Sequence, residues 1–165
     1  MTALTLVDAE RILYSEARLL DARDFQAWLE MLDPGILYWM PAWRDDGTQT
    51  ADPERELSLI YYSGKHNLED RVRRLLAGQS AASRMPQRVV HAITNVELEL
   101  RGPGEATVLS CFISSVFDPR ADRIAQFFGR NEHGLRCEGG RWLITRKIIR
   151  LANDIVPSVL DVNMV

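Results

Sequence analysis

The sequence predicts an α+β fold in which N-terminal helices pack on one face of a curved antiparallel sheet, forming a cone. Apolar residues recur at helical spacing early in the chain, whereas long extended runs dominate from Arg88 onward. Short segments rich in turn formers separate these runs: Gly102-Pro103-Gly104, Asp118-Pro119-Arg120, the His133-Gly134 region and Gly139-Gly140. Because short connections join antiparallel neighbours, the runs predict consecutive strands of one sheet. A cone of this shape favours an internal cavity.

Two helices are predicted near the N-terminus. Thr5 followed by Asp8 is typical of a capping box at the start of the first helix. Asp24 is placed to cap the second helix, which Asp33-Pro34-Gly35 ends. The next segment, ILYWMPAW, is short, aromatic and closed by Pro41, so it predicts a strand. The polar residues 44–56 then predict a surface excursion.

The stretch LIYYSGKHNLEDRVRRL, residues 59–75, combines possible catalytic side chains with a charged helix. Its first part predicts a strand, and Asn67 is placed to cap a third helix that Gly78 ends. The charges form favourable i,i+4 pairs that indicate a solvated helix face: Glu69 with Arg73 and Asp70 with Arg74. The charge run is therefore explained without a catalytic role.

Length and composition predict a single domain, residues 1–165. The net charge of −3 gives no basic excess, which argues against nucleic acid or an anionic membrane as the partner. No run is long and apolar enough for a membrane helix, and the N-terminus is unlike a secretory signal, so we expect a cytoplasmic protein. Cys111 and Cys137 are predicted to be buried free thiols.

The sequence offers no recognisable metal or cofactor motif. His66, His91 and His133 are its only histidines, and none has a second histidine at helical or turn spacing. A nucleophile elbow and a phosphate-binding glycine motif are also missing. We therefore expect no metal and no cofactor in this chain.

His91 is the one candidate for acid-base chemistry. It shares a strand face with Val89, Ile93 and Asn95, so it could enter the cone beside Tyr61 or Tyr62. A histidine and a tyrosine in an apolar pocket could move protons in an isomerase or dehydratase. The alternative is that His91 and Asn95 form a satisfied polar network that braces the strand.

Two further features predict contacts. Arg88 and Arg146 lie in strand patterns, where a charge requires a carboxylate partner, an interface or an exposed face. The C-terminal segment NDIVPSVLDVNMV is apolar, including Ile155, Val156 and Val159, so it is expected to dock on this domain or on a neighbour.

Five segments in order resemble the small (β) subunit of aromatic-ring-hydroxylating dioxygenases, with the benzoate and anthranilate type most similar. They are ARLLDARDFQAWLEML, LYWMPAW, SLIYY followed by LEDRVRRL, HAITNV, and NDIVPSVLDV. The resemblance implies the cone-shaped fold of nuclear transport factor 2, also described as cystatin-like. Departures at Tyr62-Ser63 and Asn163-Met164-Val165 leave the ring substrate open.

The resemblance also implies a division of labour. A large α subunit would hold the Rieske [2Fe-2S] cluster and the mononuclear Fe(II), and a reductase would deliver electrons from NADH. The β subunit would be structural, with no catalytic residue of its own, and would assemble through α and β–β contacts into an α3β3 hexamer. The alternatives are a stand-alone isomerase or dehydratase using His91 with Tyr61 or Tyr62, and a ligand-binding module.

Overall fold

The computed structural model describes residues 3–80, 85–153 and 160–165. Its elements are, in chain order, α1 (Leu6–Asp21), α2 (Phe25–Glu30), β1 (Leu32–Pro41), β2 (Ser58–Ser63), α3 (Lys65–Ser80), β3 (Arg88–Gly102), β4 (Glu105–Asp118), β5 (Arg123–Glu138) and β6 (Arg141–Leu151). In this part of the chain, no helix is long and apolar enough to cross a membrane.

The six strands form one curved, unclosed sheet in the order β2-β1-β6-β5-β4-β3. The pairs from β3 to β6 are antiparallel, which confirms the predicted α+β fold. β1 lies parallel to β6, because the chain returns from the far side of the sheet to place β6 beside it. This parallel pair was not predicted, since its strands are far apart in sequence.

The predicted turn at His133-Gly134 is wrong, because β5 continues through both residues. Gly134 lies at a register shift opposite Arg146. A Cβ atom on Gly134 would lie 2.9 Å from Oγ1 of Thr145, so the position requires a glycine for close packing rather than for a turn.

The predicted caps of the first two helices are confirmed. Thr5 and Asp8 form the capping box of α1, and the Asp24 carboxylate accepts the backbone N–H of Ala27 at 3.2 Å. α2 ends at Glu30, before the predicted stop. Leu32 therefore opens β1 instead of continuing the helix.

The third helix differs from the prediction at both ends. α3 begins at Lys65 and continues past Gly78, and Asn67 lies inside it, donating from its amide to the carbonyl of Ser63 at 2.5 Å. Asp70 pairs with Arg73, three residues further along the helix, rather than with Arg74. The charged face is solvated as predicted, but the pair is i,i+3.

The core lies between the helices and the concave face of the sheet. α1 packs along β3, and its inner face is apolar except for Glu16. The largest fully buried side chains are Trp28, Tyr38, Phe25, Phe112 and Phe127. Burying each such side chain contributes on the order of 1.5 to 3 kcal/mol, so this interface is the main source of stability.

The C-terminal tail, residues 160–165, completes this core. Val162 and Val165 are each 1% exposed, and the Tyr38 hydroxyl donates to both of their carbonyl oxygens at 3.4 Å. Asp161 pairs with Arg71 of α3. The predicted docking of the terminus is confirmed for these residues, whereas Ile155, Val156 and Val159 lie outside the described residues.

We predict that Gly129→Ala destabilises the protein by about 1 to 3 kcal/mol or more, because a Cβ there would overlap the backbone carbonyl of Arg150 in β6. Gly35→Ala is the control, since its Cβ would meet only Oδ1 of Asp33 at 3.4 Å. Urea denaturation of both variants measures the difference. Equal stability of the two variants would contradict the packing of β5 on β6.

Candidate functional site

A cluster of ionisable side chains lies buried inside the cone. Glu16 Oε1 accepts from Lys147 Nζ at 3.1 Å, and Glu16 Oε2 lies 2.9 Å from His133 Nε2. The indole N–H of Trp28 also donates to Glu16, at 3.4 Å. These four residues, with Tyr38, are called the buried network below.

Local structure places each member of the network. Glu16 lies on the inner face of α1, between Leu13 and Leu20 at helical spacing. His133 and Lys147 stand directly opposite each other in the β5–β6 ladder, so both side chains leave the same face of the sheet. The helix and the sheet therefore bring Glu16, His133 and Lys147 together only when α1 is docked.

The surroundings favour an ionised Glu16. Burial alone would raise the pKa of its carboxyl, but the charges and hydrogen bonds of Lys147 and then His133 hold that pKa well below its usual range. Burial, followed by the charge on Glu16, raises the pKa of the Tyr38 phenol well above its ordinary value. Lys147 Nζ lies 5.6 Å from the Tyr38 ring, a cation–π contact. The network thus combines an anion, a cation and a neutral phenol.

This network is sealed from solvent. The side chains of Glu16, His133 and Lys147 are 2% to 4% exposed. A general acid or base must come within hydrogen-bonding distance of a substrate, and these side chains instead bind one another. The arrangement is suited to bracing helix against sheet.

His91 and the two tyrosines, predicted to converge, lie on strands at opposite edges of the sheet. His91 is on edge strand β3, whereas Tyr61 and Tyr62 are on edge strand β2. That part of the prediction is therefore wrong, because the strand that follows β2 in sequence does not pair with it. The Tyr61 hydroxyl instead donates to Glu54, and Tyr62 packs against the core.

The partner of His91 is Asp21, at the end of α1. His91 Nδ1 lies 2.7 Å from Oδ1, and the His91 backbone N–H donates to Oδ2 at 3.2 Å. The predicted network with Asn95 is wrong, since Asn95 lies at a bulge with φ 53° and is exposed. A brace at His91 is present, but it joins the strand to a helix.

The other residues that the sequence analysis singled out lie outside the buried network. Arg146 donates to Glu132 at 2.5 Å, so it has the carboxylate partner that its strand position required. Arg88 is exposed, with its guanidinium 5.7 Å from the Phe117 ring. His66 is exposed near the start of α3. Cys111 and Cys137 are free but half-buried, less buried than predicted.

Sequence analysis missed Glu16, Lys147 and Asp21 as functional partners. A signal for Glu16 does exist, because a glutamate between Leu13 and Leu20 on an apolar helix face requires a buried partner. Lys147 likewise shares its strand face with Ile149 and Leu151, both of which are buried. Neither position identifies its partner, because the contacts of Glu16 span 117 and 131 residues of chain.

Comparison with known proteins assigns the family. The family model described as the ring hydroxylating beta subunit matches residues 15–158. This chain belongs to that family. The predicted resemblance is thereby confirmed, and the chain is a component of an aromatic-ring-hydroxylating dioxygenase, an oxidoreductase. The comparison favours this function over a stand-alone isomerase or dehydratase.

Relatives of this β subunit match it from end to end. The 2-halobenzoate 1,2-dioxygenase small subunit of Burkholderia cepacia is 37% identical over 98% of each chain. The benzoate 1,2-dioxygenase subunit beta of Acinetobacter baylyi is 34% identical over 98% of this chain and 95% of its own. The crystal structure of the benzoate 1,2-dioxygenase beta subunit of Burkholderia mallei covers 100% of both chains, with 30% identity and a TM-score of 0.85.

The side chains of this β subunit do not fit an iron centre. A Rieske cluster requires two cysteines and two histidines, but Cys111 and Cys137 lie apart on β4 and β5, and His91 and His133 each bind a carboxylate. Among the residues that the structure describes, no group of three or more His, Cys, Asp or Glu side chains could hold a metal ion.

We predict that Glu16→Gln destabilises the fold by about 3 to 5 kcal/mol, because it leaves the Lys147 charge buried without its counter-ion. Glu10→Gln, the same change on the same helix, is the control, with an expected effect below about 0.5 kcal/mol. The double variant Glu16→Leu/Lys147→Met should recover much of the loss, since no uncompensated charge remains. Denaturant titration measures all three, and equal effects of the two Gln variants would contradict the buried pair.

The same carboxylate makes stability depend on pH. Because the pKa of Glu16 is lowered by folding, its contribution is fully present above the unfolded-state pKa, roughly 4.3, and is lost as pH falls toward the folded-state value. The stability difference between the wild-type chain and Glu16→Gln should therefore shrink between about pH 5 and pH 3. Other acidic groups, such as Glu56 beside Arg44 with a pKa of about 2, titrate in both proteins and cancel in this difference. A difference that is constant across the range would contradict the assignment.

Proposed function

We propose that this chain is the structural, non-catalytic subunit of a terminal oxygenase that cis-dihydroxylates an aromatic carboxylate of the benzoate type. One observation carries the proposal: the full-length similarity to small subunits whose names specify 2-halobenzoate, benzoate, toluate and anthranilate. All four compounds are benzene rings bearing a carboxylate. The shared chemistry supports an aromatic acid as the substrate of the assembled enzyme.

The proposed complex divides the chemistry between chains. The large α subunit holds the Rieske [2Fe-2S] cluster and the mononuclear Fe(II), and a separate reductase supplies electrons from NADH. We propose an α3β3 hexamer with β–β contacts, working in the cytoplasm. The poor fit of this chain's own cysteines and histidines to an iron centre supports this division.

An assembly role also agrees with the outer face of the sheet. Ala92, Ile113 and Phe128 are cross-strand neighbours on β3, β4 and β5, and Ile113 and Phe128 are 51% and 47% exposed. Nearby Val90 is 65% exposed. A row of exposed apolar side chains on a rigid sheet is typical of a surface that meets another subunit.

The proposal is tested by co-expression with the large subunit of a benzoate-type dioxygenase, assayed with its reductase. The chain should co-purify with an iron-containing partner, and benzoate should be converted to a cis-diol only by the complex. His91→Ala should destabilise the chain by about 1.5 to 3 kcal/mol, through the lost bond to Asp21, while turnover per assembled complex stays within about twofold. His66→Ala, at an exposed position, is the control.

Two results would contradict this function. One is a chain that never co-purifies with an iron protein. The other is a metal-independent activity of the isolated chain that His91→Ala removes without affecting assembly, which would favour an isomerase or dehydratase.

A further inference from the structure

A cleft of about 320 Å³ lies where α1 ends, between α3, the start of β3, the β4–β5 turn and the C-terminal tail. Its charged lining residues are Arg23, Arg71, Arg74, Arg120, Asp118 and Asp161. Among the described lining residues, four guanidinium groups thus accompany two carboxylates, an excess of two positive charges. A cleft with this balance attracts an anion.

Both carboxylates of the cleft already have partners. Asp161 accepts two hydrogen bonds from the Arg71 guanidinium and a third from the backbone N–H of Val162 at 2.8 Å. Asp118 accepts the backbone N–H of Arg120 at 3.0 Å and the amide of Gln87 at 3.5 Å. The Asp161 carboxylate is therefore used mainly by Arg71, whereas Asp118 binds groups at the β4–β5 turn.

Arg23 differs from Arg71 in having no carboxylate partner among the described residues, a property it shares with Arg74 and Arg120. Its guanidinium carbon lies 5.4 Å from the centre of the Phe25 ring. Burial lowers the pKa of Arg23, and the charge on Asp161 only partly opposes this. Arg23 is half-buried, so an anion in the cleft would replace part of the water that its guanidinium has lost.

Asn163 gives a second, independent observation. The residue is 3% exposed and lines the same cleft, yet its side-chain amide has no hydrogen-bond partner among the residues that the structure describes. An amide that lines a cleft and has no protein partner can donate to a ligand bound there. Arg23 and Asn163 therefore both present donors to one cleft, and an oxygen anion could accept from both.

The cleft also has apolar lining residues, which are Leu75, Met85, Pro86 and Met164. Methionine and leucine side chains pack well against an aromatic ring. The volume falls at the lower end of the range for small-molecule pockets, roughly 300 to 1,000 Å³. The cleft thus fits an anion with a small apolar body better than inorganic phosphate.

We propose that this cleft is a binding site for a small aromatic carboxylate, in which Arg23 and Asn163 hold the carboxylate and Leu75 and Met164 contact the ring. Arg74 and Arg120 add positive charge to the lining. The site is separate from catalysis and does not rest on the proposed function, since binding by this chain is independent of which ring the complex oxidises.

The full-length chain titrated with sodium benzoate by isothermal calorimetry tests the proposal. Saturable binding is expected at millimolar or tighter Kd, with benzamide, the neutral analogue, at least about tenfold weaker. Benzoate binding should also weaken with added salt, because the cleft charges are partly exposed. Inorganic phosphate should bind more weakly than benzoate, because it has no ring to occupy the apolar wall.

Variants locate the site. Arg23→Gln and, independently, Asn163→Asp should each weaken benzoate binding at least about tenfold, the first by removing the anion's partner and the second by placing a like charge beside it. Arg74→Gln should weaken binding a few-fold. Arg73→Gln is the matched control, because it is adjacent on α3 but exposed and paired with Asp70 outside the cleft. Thermal denaturation verifies that each variant is folded.

Four results would overturn the proposal. These are no saturable benzoate binding up to about 10 mM, equal binding of benzamide, phosphate binding as tight as benzoate binding, and benzoate binding that folded Arg23→Gln retains. A cleft that contacts another subunit would give a distinct pattern: no benzoate binding by the free chain, together with loss of co-purification in Arg23→Gln. Co-purification without benzoate binding would reject the site while leaving the proposed function intact.

Discussion

The ionised carboxylate of Glu16, buried between helix and sheet, is the constraint on which the rest of the structure depends. It binds Lys147 of β6, His133 of β5 and Trp28 of α2, so one side chain joins four elements. Such a group is tolerated in the interior only while every partner is in place. Sliding α1 along the sheet would expose the uncompensated charge of Lys147 to an apolar core. The network therefore selects one position of the helix, a specificity that apolar packing alone gives less sharply.

The chain fills its own interior beside this network. Tyr38 lies between the Lys147 ammonium and the C-terminal tail, with its hydroxyl directed to the carbonyls of Val162 and Val165. The sequence pattern favoured an internal cavity, but here the tail occupies the space next to Tyr38. An interior packed with its own side chains and tail is suited to rigidity, and a rigid body is what a subunit needs to hold a partner in a fixed geometry.

The features that could be predicted are those determined by neighbours in sequence. The caps at Thr5 and Asp24 and the long strands from Arg88 onward depend on local patterns, and the structure confirms them. The parallel pairing of β1 with β6 and the partners of Glu16 depend on register between distant segments, which no local pattern encodes. His133-Gly134 was predicted as a turn, but both residues lie within β5. The histidine is buried there, and the glycine leaves room for Thr145 of β6.

The tail connects the interior to the surface cleft through Asp161. Its carboxylate could neutralise either Arg71 or Arg23, and in the docked tail it is bound to Arg71. In the docked tail Arg23 therefore has no carboxylate partner among the described residues, and the Asn163 amide lines the same cleft. The proposed anion would contact Arg23 after α1 and Asn163 in the tail, so anion binding and tail docking would stabilise each other. This coupling is reciprocal by thermodynamic necessity: whatever strengthens the Arg71–Asp161 pair also strengthens the affinity of the cleft.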